Sequence, residues 1–316
     1  MKRQISLQIL RIFSMLMIVL CHLCNESKIG IFVNLAQLLN VGVFIFLFMS
    51  GYLYGRKKKI DVNEFYKKRA VKIMIPFYLF LLYIVLINLI NECFNVKLFL
   101  SNLFNLQYIF GSLSGMEHLW FLTVLMLCYF ITPFLHSIKN ILISKKYIFY
   151  TMFFIICLGC ALINIKFGNI LFYLLVYIIG FMYNEEHKNK YIINLFFIVC
   201  AIIIRLQFKW MFDATILYDF VIVNLTHTVI AISLFELFFD IFKNVKGSKI
   251  INYLDNISFF IYIVHYQFMH GPLRIIDNRN NFYLVISMIL SVIVSVVFAN
   301  LLFYISNVVS RRLEVK

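Results

Sequence analysis

The chain has 316 residues, 63% of them hydrophobic and only 14% charged, with a formal net charge of +15. A water-soluble domain carries roughly a quarter charged residues and under half apolar ones, because its outside must be covered with polar groups. This composition excludes a soluble enzyme, a disordered chain and a disulfide scaffold. The apolar residues run in long blocks and do not alternate, which excludes an outer-membrane barrel.

In chain order, apolar stretches bounded by charge predict ten membrane-spanning helices, over about residues 5–24, 32–54, 70–91, 118–136, 147–165, 169–184, 191–208, 215–239, 256–272 and 282–308. The stretch 98–113 reads as an interfacial helix in a long loop, and the sixth span is short enough to be tilted or partly re-entrant. The first span is not read as a cleaved signal peptide, because no small-residue cleavage site follows Cys24 and the polytopic pattern continues. The expected fold is an all-α polytopic membrane protein, with residues 1–316 as one integral-membrane domain.

The positive charges report orientation. With the N-terminus inside, the inner segments hold Lys2, Arg3, eight Lys or Arg within 56–72, Lys139, Lys145, Lys146, Lys188, Lys190, Lys243, Lys246, Lys249, Arg311, Arg312 and Lys316, twenty-one in all. Seven fall outside: Lys28, Lys97, Lys166, Arg205, Lys209, Arg274 and Arg279. This asymmetry is the positive-inside pattern and predicts both termini in the cytoplasm. The charge excess is then a topology signal, and no nucleic-acid partner is expected. The two CxxC pairs, Cys21/Cys24 and Cys157/Cys160, lie within apolar spans without polar partners and read as packing residues.

An ionisable group inside a span is costly and is by default a functional candidate. The first span has two, Arg11 and His22, eleven residues apart. On an α-helix that separation is about 20° past three full turns and about 16 Å along the axis, so both project from one face. The alternative is that Arg11 snorkels to the inner headgroups and His22 sits at the outer boundary. Further on, Lys68, Arg69 and Lys72 lie among Phe65, Tyr66, Ile73 and Tyr78 at the entry to the third span. Cations beside aromatics at a membrane boundary suit a phosphorylated ligand, or serve topology alone. Ser50-Gly51-Tyr52 ends the second span, where a glycine allows close approach of a ligand or of another helix. Glu117 and His118 open the fourth span next to Trp120, which is a belt aromatic or part of a polar-substrate site. His227 and Glu236 in the eighth span, and Tyr262, His265 and His270 in the ninth, are further intramembrane polar groups; for His265 the default role is a hydrogen bond to a neighbouring helix. No histidine pair has i,i+3 or i,i+4 spacing, and no metal site is expected.

Five stretches, in this order, are similar to those of acyltransferase family 3, polytopic membrane proteins that modify bacterial glycans and lipids: LQILRIFSMLMIVLCH (7–22), GVFIFLFMSGYLY (42–54), FYKKRAVKIMIPFY (65–78), HLWFLTVLMLCYFITPFL (118–135) and ISFFIYIVH (257–265). The resemblance covers nearly the whole chain. It implies an O-acyltransferase, by default an O-acetyltransferase, that moves an acyl group from cytoplasmic acetyl-CoA to a hydroxyl of an extracytoplasmic glycan or lipid-linked sugar, in a bacterial cell membrane and without a metal. It implies His22 as the catalytic histidine and Arg11 as its essential partner. Lys68, Arg69 and Lys72, with Ser50 and Tyr52, would bind the donor. Glu117, His118, Trp120, Tyr262 and His265 would bind the acceptor. Lys72 departs from a common second arginine, keeping the charge but not bidentate phosphate recognition. WFLTVLMLCYF departs from the WSLSVEEQFY-like branch and places the chain nearer short, unfused sugar acetyltransferases, a branch that also holds proteins assigned to exopolysaccharide export. His22 would act as general base or as an acyl carrier. Tyr262, His118 and His265 are the candidates for the oxyanion stabiliser. Export of an exopolysaccharide by a flippase-like component is the alternative; it would need a continuous polar path and no acyl-CoA, and few polar residues fall mid-span.

Overall fold

The computed structural model describes residues 5–184, 191–242 and 244–314; Lys2, Arg3, Lys188, Lys190, Lys243 and Lys316, part of the charge asymmetry, lie outside the described residues. Among the described residues every regular element is helical. The chain runs α1 (Ile5–Glu26), α2 (Gly30–Leu39), α3 (Val41–Gly55), α4 (Val62–Ile90), α5 (Val96–Leu103) and α6 (Gln107–Phe110). A 3-10 turn (Glu117–Leu119) leads into α7 (Trp120–Ser137), followed by α8 (Lys139–Ser144), α9 (Lys146–Ile163), α10 (Ile165–Met182) and α11 (Tyr191–Phe212). A π-helical turn (Leu217–Ile222) enters α12 (Val223–Phe242), and α13 (Lys249–Met269) and α14 (Asn281–Glu314) complete the chain.

Local chemistry sets many of the breaks. The Asp61 side chain accepts from Glu64 N at 2.9 Å to cap α4, and Asn95 and Asn164 accept in the same way from Leu98 N and Lys166 N at the starts of α5 and α10. The expected second span divides at Asn40 into α2 and α3, at a residue of weak helix propensity. The expected interfacial helix over 98–113 is two short helices, α5 and α6. Nine stretches among the described residues are long and apolar enough to cross a membrane. The chain is an all-α polytopic membrane protein. The expected ninth span is the exception. It forms the 21-residue α13, but Asn252, Asp255, Asn256, Ser258, His265 and Gln267 make it too polar to count with the others.

The chain forms two compact units. One comprises the described residues of Met1–Ser14, Asn40–Ile60 and Leu127–Ser248. Its centre is α3 against α10. A Cβ on Gly51 would lie 2.0 Å from Tyr177 O, one on Gly55 1.9 Å from Phe181 O, and one on Gly180 2.1 Å from Phe48 O. These glycines let two backbones touch, the small-residue packing that holds membrane helices together where lipid removes the hydrophobic drive. Tyr177 then reaches Thr132 of α7 with its hydroxyl at 2.7 Å. Two polar pairs form within this unit: Arg205 hydrogen-bonds to His227, and the Tyr183 hydroxyl donates to Glu236. Arg205, expected among the outer charges, is buried within α11, where the imidazole of His227 on α12 gives its guanidinium a partner; this does not bear on its side of the membrane.

The second unit comprises Met15–Leu39, Asp61–Met126 and Lys249–Lys316, described through residue 314. Here α14 lies along α13 and α4, burying Ser287, Ser291, Ser295 and Ala299 at four-residue spacing, with Phe298 against Tyr83 and Phe268. The segment between α4 and α7 is pinned by buried amides. Asn102 accepts from Leu113 N at 2.9 Å and donates to Ser112 Oγ at 2.8 Å, and Gln107 Nε2 donates to Leu119 O at 2.9 Å.

The glycine seam in the first unit yields a direct test. Gly51→Ala and Gly180→Ala should each destabilise the protein by about 1–3 kcal/mol, since the added methyl meets backbone that cannot move aside. Gly159→Ala, where a Cβ would meet nothing within 4 Å, should be neutral. Thermal unfolding in one detergent measures all three.

Candidate functional site

The second unit brings together His22 from α1, His118 from the 3-10 turn, and Tyr262, His265 and Tyr266 from α13. On α13 these three stand at i, i+3 and i+4, hence on one face. His118 is delivered by the pinned segment. Gly115, at φ +90°, brings that chain so close to α13 that a Cβ there would lie 1.8 Å from Gln267 Oε1. The ring centroid of His22 is 5.3 Å from that of His265, 6.2 Å from His118 and 4.8 Å from Tyr266. His118 and His265 are 4.8 Å apart, and Tyr266 stacks on His118 at 4.9 Å and 25°.

The hydrogen bonds fix which ring nitrogens carry protons. His118 Nε2 lies 2.8 Å from Tyr262 O and 3.1 Å from Ile263 O. His265 Nδ1 lies 2.8 Å from Tyr262 O and 3.1 Å from Ile261 O. A carbonyl oxygen only accepts, so these nitrogens bear the hydrogens, and in a neutral ring His118 Nδ1 and His265 Nε2 are acceptors. The expected bond from His265 to a neighbouring helix is therefore corrected: its donor serves carbonyls of its own helix. The Tyr262 hydroxyl donates to His118 O at 2.8 Å. All three residues proposed from sequence as oxyanion stabilisers thus have their N–H or O–H occupied.

One turn beyond His22 on α1, Glu26 accepts from His270 Nδ1 at 2.7 Å and pairs with Arg274 at 3.3 Å, while Asn278 Nδ2 donates to Glu26 O at 2.9 Å. His270 lies 5.2 Å from Tyr266, so polar side chains lead from the exposed His270 inward to the cluster. Sequence reasoning missed Tyr266 and Glu26. Each had a signal: Tyr266 is four residues from Tyr262, and Glu26 four from His22.

The other expected residues are distributed as follows. Glu117 Oε2 accepts from Gly115 N at 2.8 Å, stabilising the turn that carries His118. Trp120 packs edge-on to Tyr108 at 5.2 Å. Lys68, Arg69 and Lys72 lie together on the first part of α4; Lys68 and Lys72 are exposed, and Lys68 pairs with Glu64 at 2.5 Å. Arg11 is half-buried in the first half of α1. Ser50 and Tyr52 belong to the other unit, where Tyr52 is buried 4.8 Å from Phe235 and hydrogen-bonds to Arg56. The seven cysteines are free thiols. Among the described residues no group of three or more His, Cys, Asp or Glu side chains has the arrangement to hold a metal ion.

No curated protein and no solved structure matches the chain. A family model described as an acyltransferase domain matches residues 4–300. That span takes in residues of both units and the whole histidine–tyrosine cluster, and the chain belongs to acyltransferase family 3 as a membrane acyltransferase.

Proposed function

We propose that this membrane acyltransferase uses acyl-CoA, with acetyl as the default group, to acylate a hydroxyl of an extracytoplasmic glycan or lipid-linked sugar, with His22 as general base. The observation that carries the reading is the placement of His22, half-buried in an apolar helix, against His118, His265 and Tyr266. The charge asymmetry supports an N-terminus in the cytoplasm of a bacterial cell, and the span of the family match supports a chain that works as one domain.

The donor's phosphates dock on Arg69, Lys72 and Lys68 at the start of α4, and the pantetheine arm carries the thioester toward His22. Arg11 stands about 16 Å along α1 from His22 and serves as its partner on that helix. Neutral His22 takes the acceptor's hydroxyl proton as its oxygen attacks the thioester carbonyl. Collapse of the tetrahedral intermediate breaks the carbon–sulfur bond, and His22 returns the proton to the CoA sulfur, so no proton is gained or lost overall. The developing oxyanion needs a donor. Tyr266 is the phenol set against His22, and the donors of Tyr262, His118 and His265 are otherwise engaged, so Tyr266 fills that role. The acceptor enters past Glu26 and His270, and Glu117 and Trp120 shape the wall by holding the turn and packing on Tyr108.

With radiolabelled acetyl-CoA and protein in nanodiscs, His22→Ala should abolish acetyl transfer and hydrolysis while the melting temperature stays near that of wild type; full turnover by the variant would sink the mechanism. Tyr266→Phe should lower kcat by about 10²-fold with little change in the Michaelis constant for acetyl-CoA, the size expected for one lost oxyanion donor. Arg69→Ala combined with Lys72→Ala should instead raise that Michaelis constant tenfold or more at low salt, and the effect should shrink as salt rises. Absence of CoA binding and turnover in every form would favour the export reading.

A further inference from the structure

We infer that His118 Nδ1 and His265 Nε2 form a paired hydrogen-bond acceptor that holds two hydroxyls flanking the one to be acylated, so that the site selects a polyol face over a lone alcohol. The inference rests on the acyl-transfer reading of the His22 cluster. His118 and His265 are buried, 4% and 0% exposed. Each donates from one nitrogen to backbone carbonyls of α13. Among the described residues, neither His118 Nδ1 nor His265 Nε2 has a hydrogen-bond partner. A buried polar atom left without a hydrogen bond is costly, and two such atoms on rings 4.8 Å apart, beside the same histidine, call for a ligand that supplies hydrogens.

The chemistry narrows what that ligand is. Two imidazolium charges at this separation in an apolar bundle would repel strongly, so the rings act as neutral acceptors. A metal ion is the other way to occupy both lone pairs, but among the described residues no group of three or more His, Cys, Asp or Glu side chains is arranged to hold one. Carboxylate and phosphate oxygens bring further lone pairs and no hydrogen. A hydroxyl brings one hydrogen, so two acceptors take two hydroxyls. The hydroxyl facing His22 makes a third, on neighbouring carbons. The backbone bonds hold both rings in place before the ligand arrives, and the paired grip orients the reacting oxygen toward His22. His118 and His265 are in this sense positioning and specificity residues.

The test uses glycerol, with three adjacent hydroxyls, against propanol, with one. The chain has seven histidines, so single substitutions assign the ring signals in nitrogen-15 spectra of the histidine-labelled protein in nanodiscs. The expected result is a bare Nδ1 on His118 and a bare Nε2 on His265, both signals moving with glycerol and neither with propanol. In acetyl transfer from radiolabelled acetyl-CoA, glycerol should be preferred by about tenfold or more, as for two hydrogen bonds. His118→Asn and His265→Gln place an amide oxygen near the lost acceptor and should retain that preference. His118→Gln and His265→Asn place it wrongly and should lose the preference. Opposite tautomers, unmoved signals, equal use of the two alcohols, or a preference indifferent to which amide is present would each overturn the inference. Spectral shifts that persist without any His22-dependent transfer would instead overturn the acyl-transfer reading and leave the polyol grip standing.

Discussion

One main-chain oxygen organises the site. Tyr262 O accepts from His118 Nε2 and from His265 Nδ1, each at 2.8 Å, while the hydroxyl of the same tyrosine reaches back to His118 O. The bonds in both directions tie the segment before α7 to α13, and they fix the tautomers of two buried imidazoles at once. The rest of the unit serves this junction. Asn102 and Gln107 hold the segment in its path, Gly115 permits its close approach to α13, and the small-residue row of α14 lets α13 settle against its neighbour. Lipid supplies little drive for such packing, so polar bonds and close-fitting small residues take over the role that hydrophobic burial has in a soluble core.

The junction also sorts roles among residues that look alike in the sequence. Six of the seven histidines and many tyrosines are scattered through the apolar spans. His227 pairs with Arg205, and Glu236 with Tyr183, so these intramembrane groups of the first unit find partners within it. In the second unit the donors of Tyr262, His118 and His265 are occupied, His118 Nδ1 and His265 Nε2 remain as acceptors, and Tyr266 is the phenol beside His22. With His22 as the proposed base, acceptors around it and one hydroxyl donor suit attack by a hydroxyl on a carbonyl. Of the groups that keep α13 from reading as an ordinary membrane helix, His265 belongs to this array, and Asn252, Asp255, Asn256, Ser258 and Gln267 lie outside it.

Much of this was legible in the sequence because two periodicities are strong. Long apolar runs gave eight of the nine other expected spans as helices within several residues, and the second span too, apart from its division at Asn40. The helical period put Arg11 and His22 on one face of α1, and the order of the five similar stretches pointed to the family. What the sequence could not convey was tertiary pairing. Arg205 reads as an outer charge without a visible partner until His227 is found opposite it, and Ser50-Gly51-Tyr52 suits a ligand or a helix seam equally well until the Gly51 contact with Tyr177 is seen. The donors of His118 and His265 are engaged by carbonyls, and carbonyls are the same in every residue. No reading of side chains alone finds those bonds. Tyr266 and Glu26 were within reach through their four-residue spacing from Tyr262 and His22, but each needed the fold to show that its helix face points into the cluster.

The central claim is that the acyl group meets its acceptor at His22 and Tyr266. The most direct measurement is a cryo-electron microscopy structure of the protein in nanodiscs with a non-hydrolysable thioether analogue of acetyl-CoA. The account predicts phosphate density on Arg69 and Lys72 and the acyl carbonyl of the analogue about 3 Å from Tyr266 Oη, beside the His22 ring. An analogue whose acyl end lies away from the His22, His118, His265 and Tyr266 cluster would contradict it.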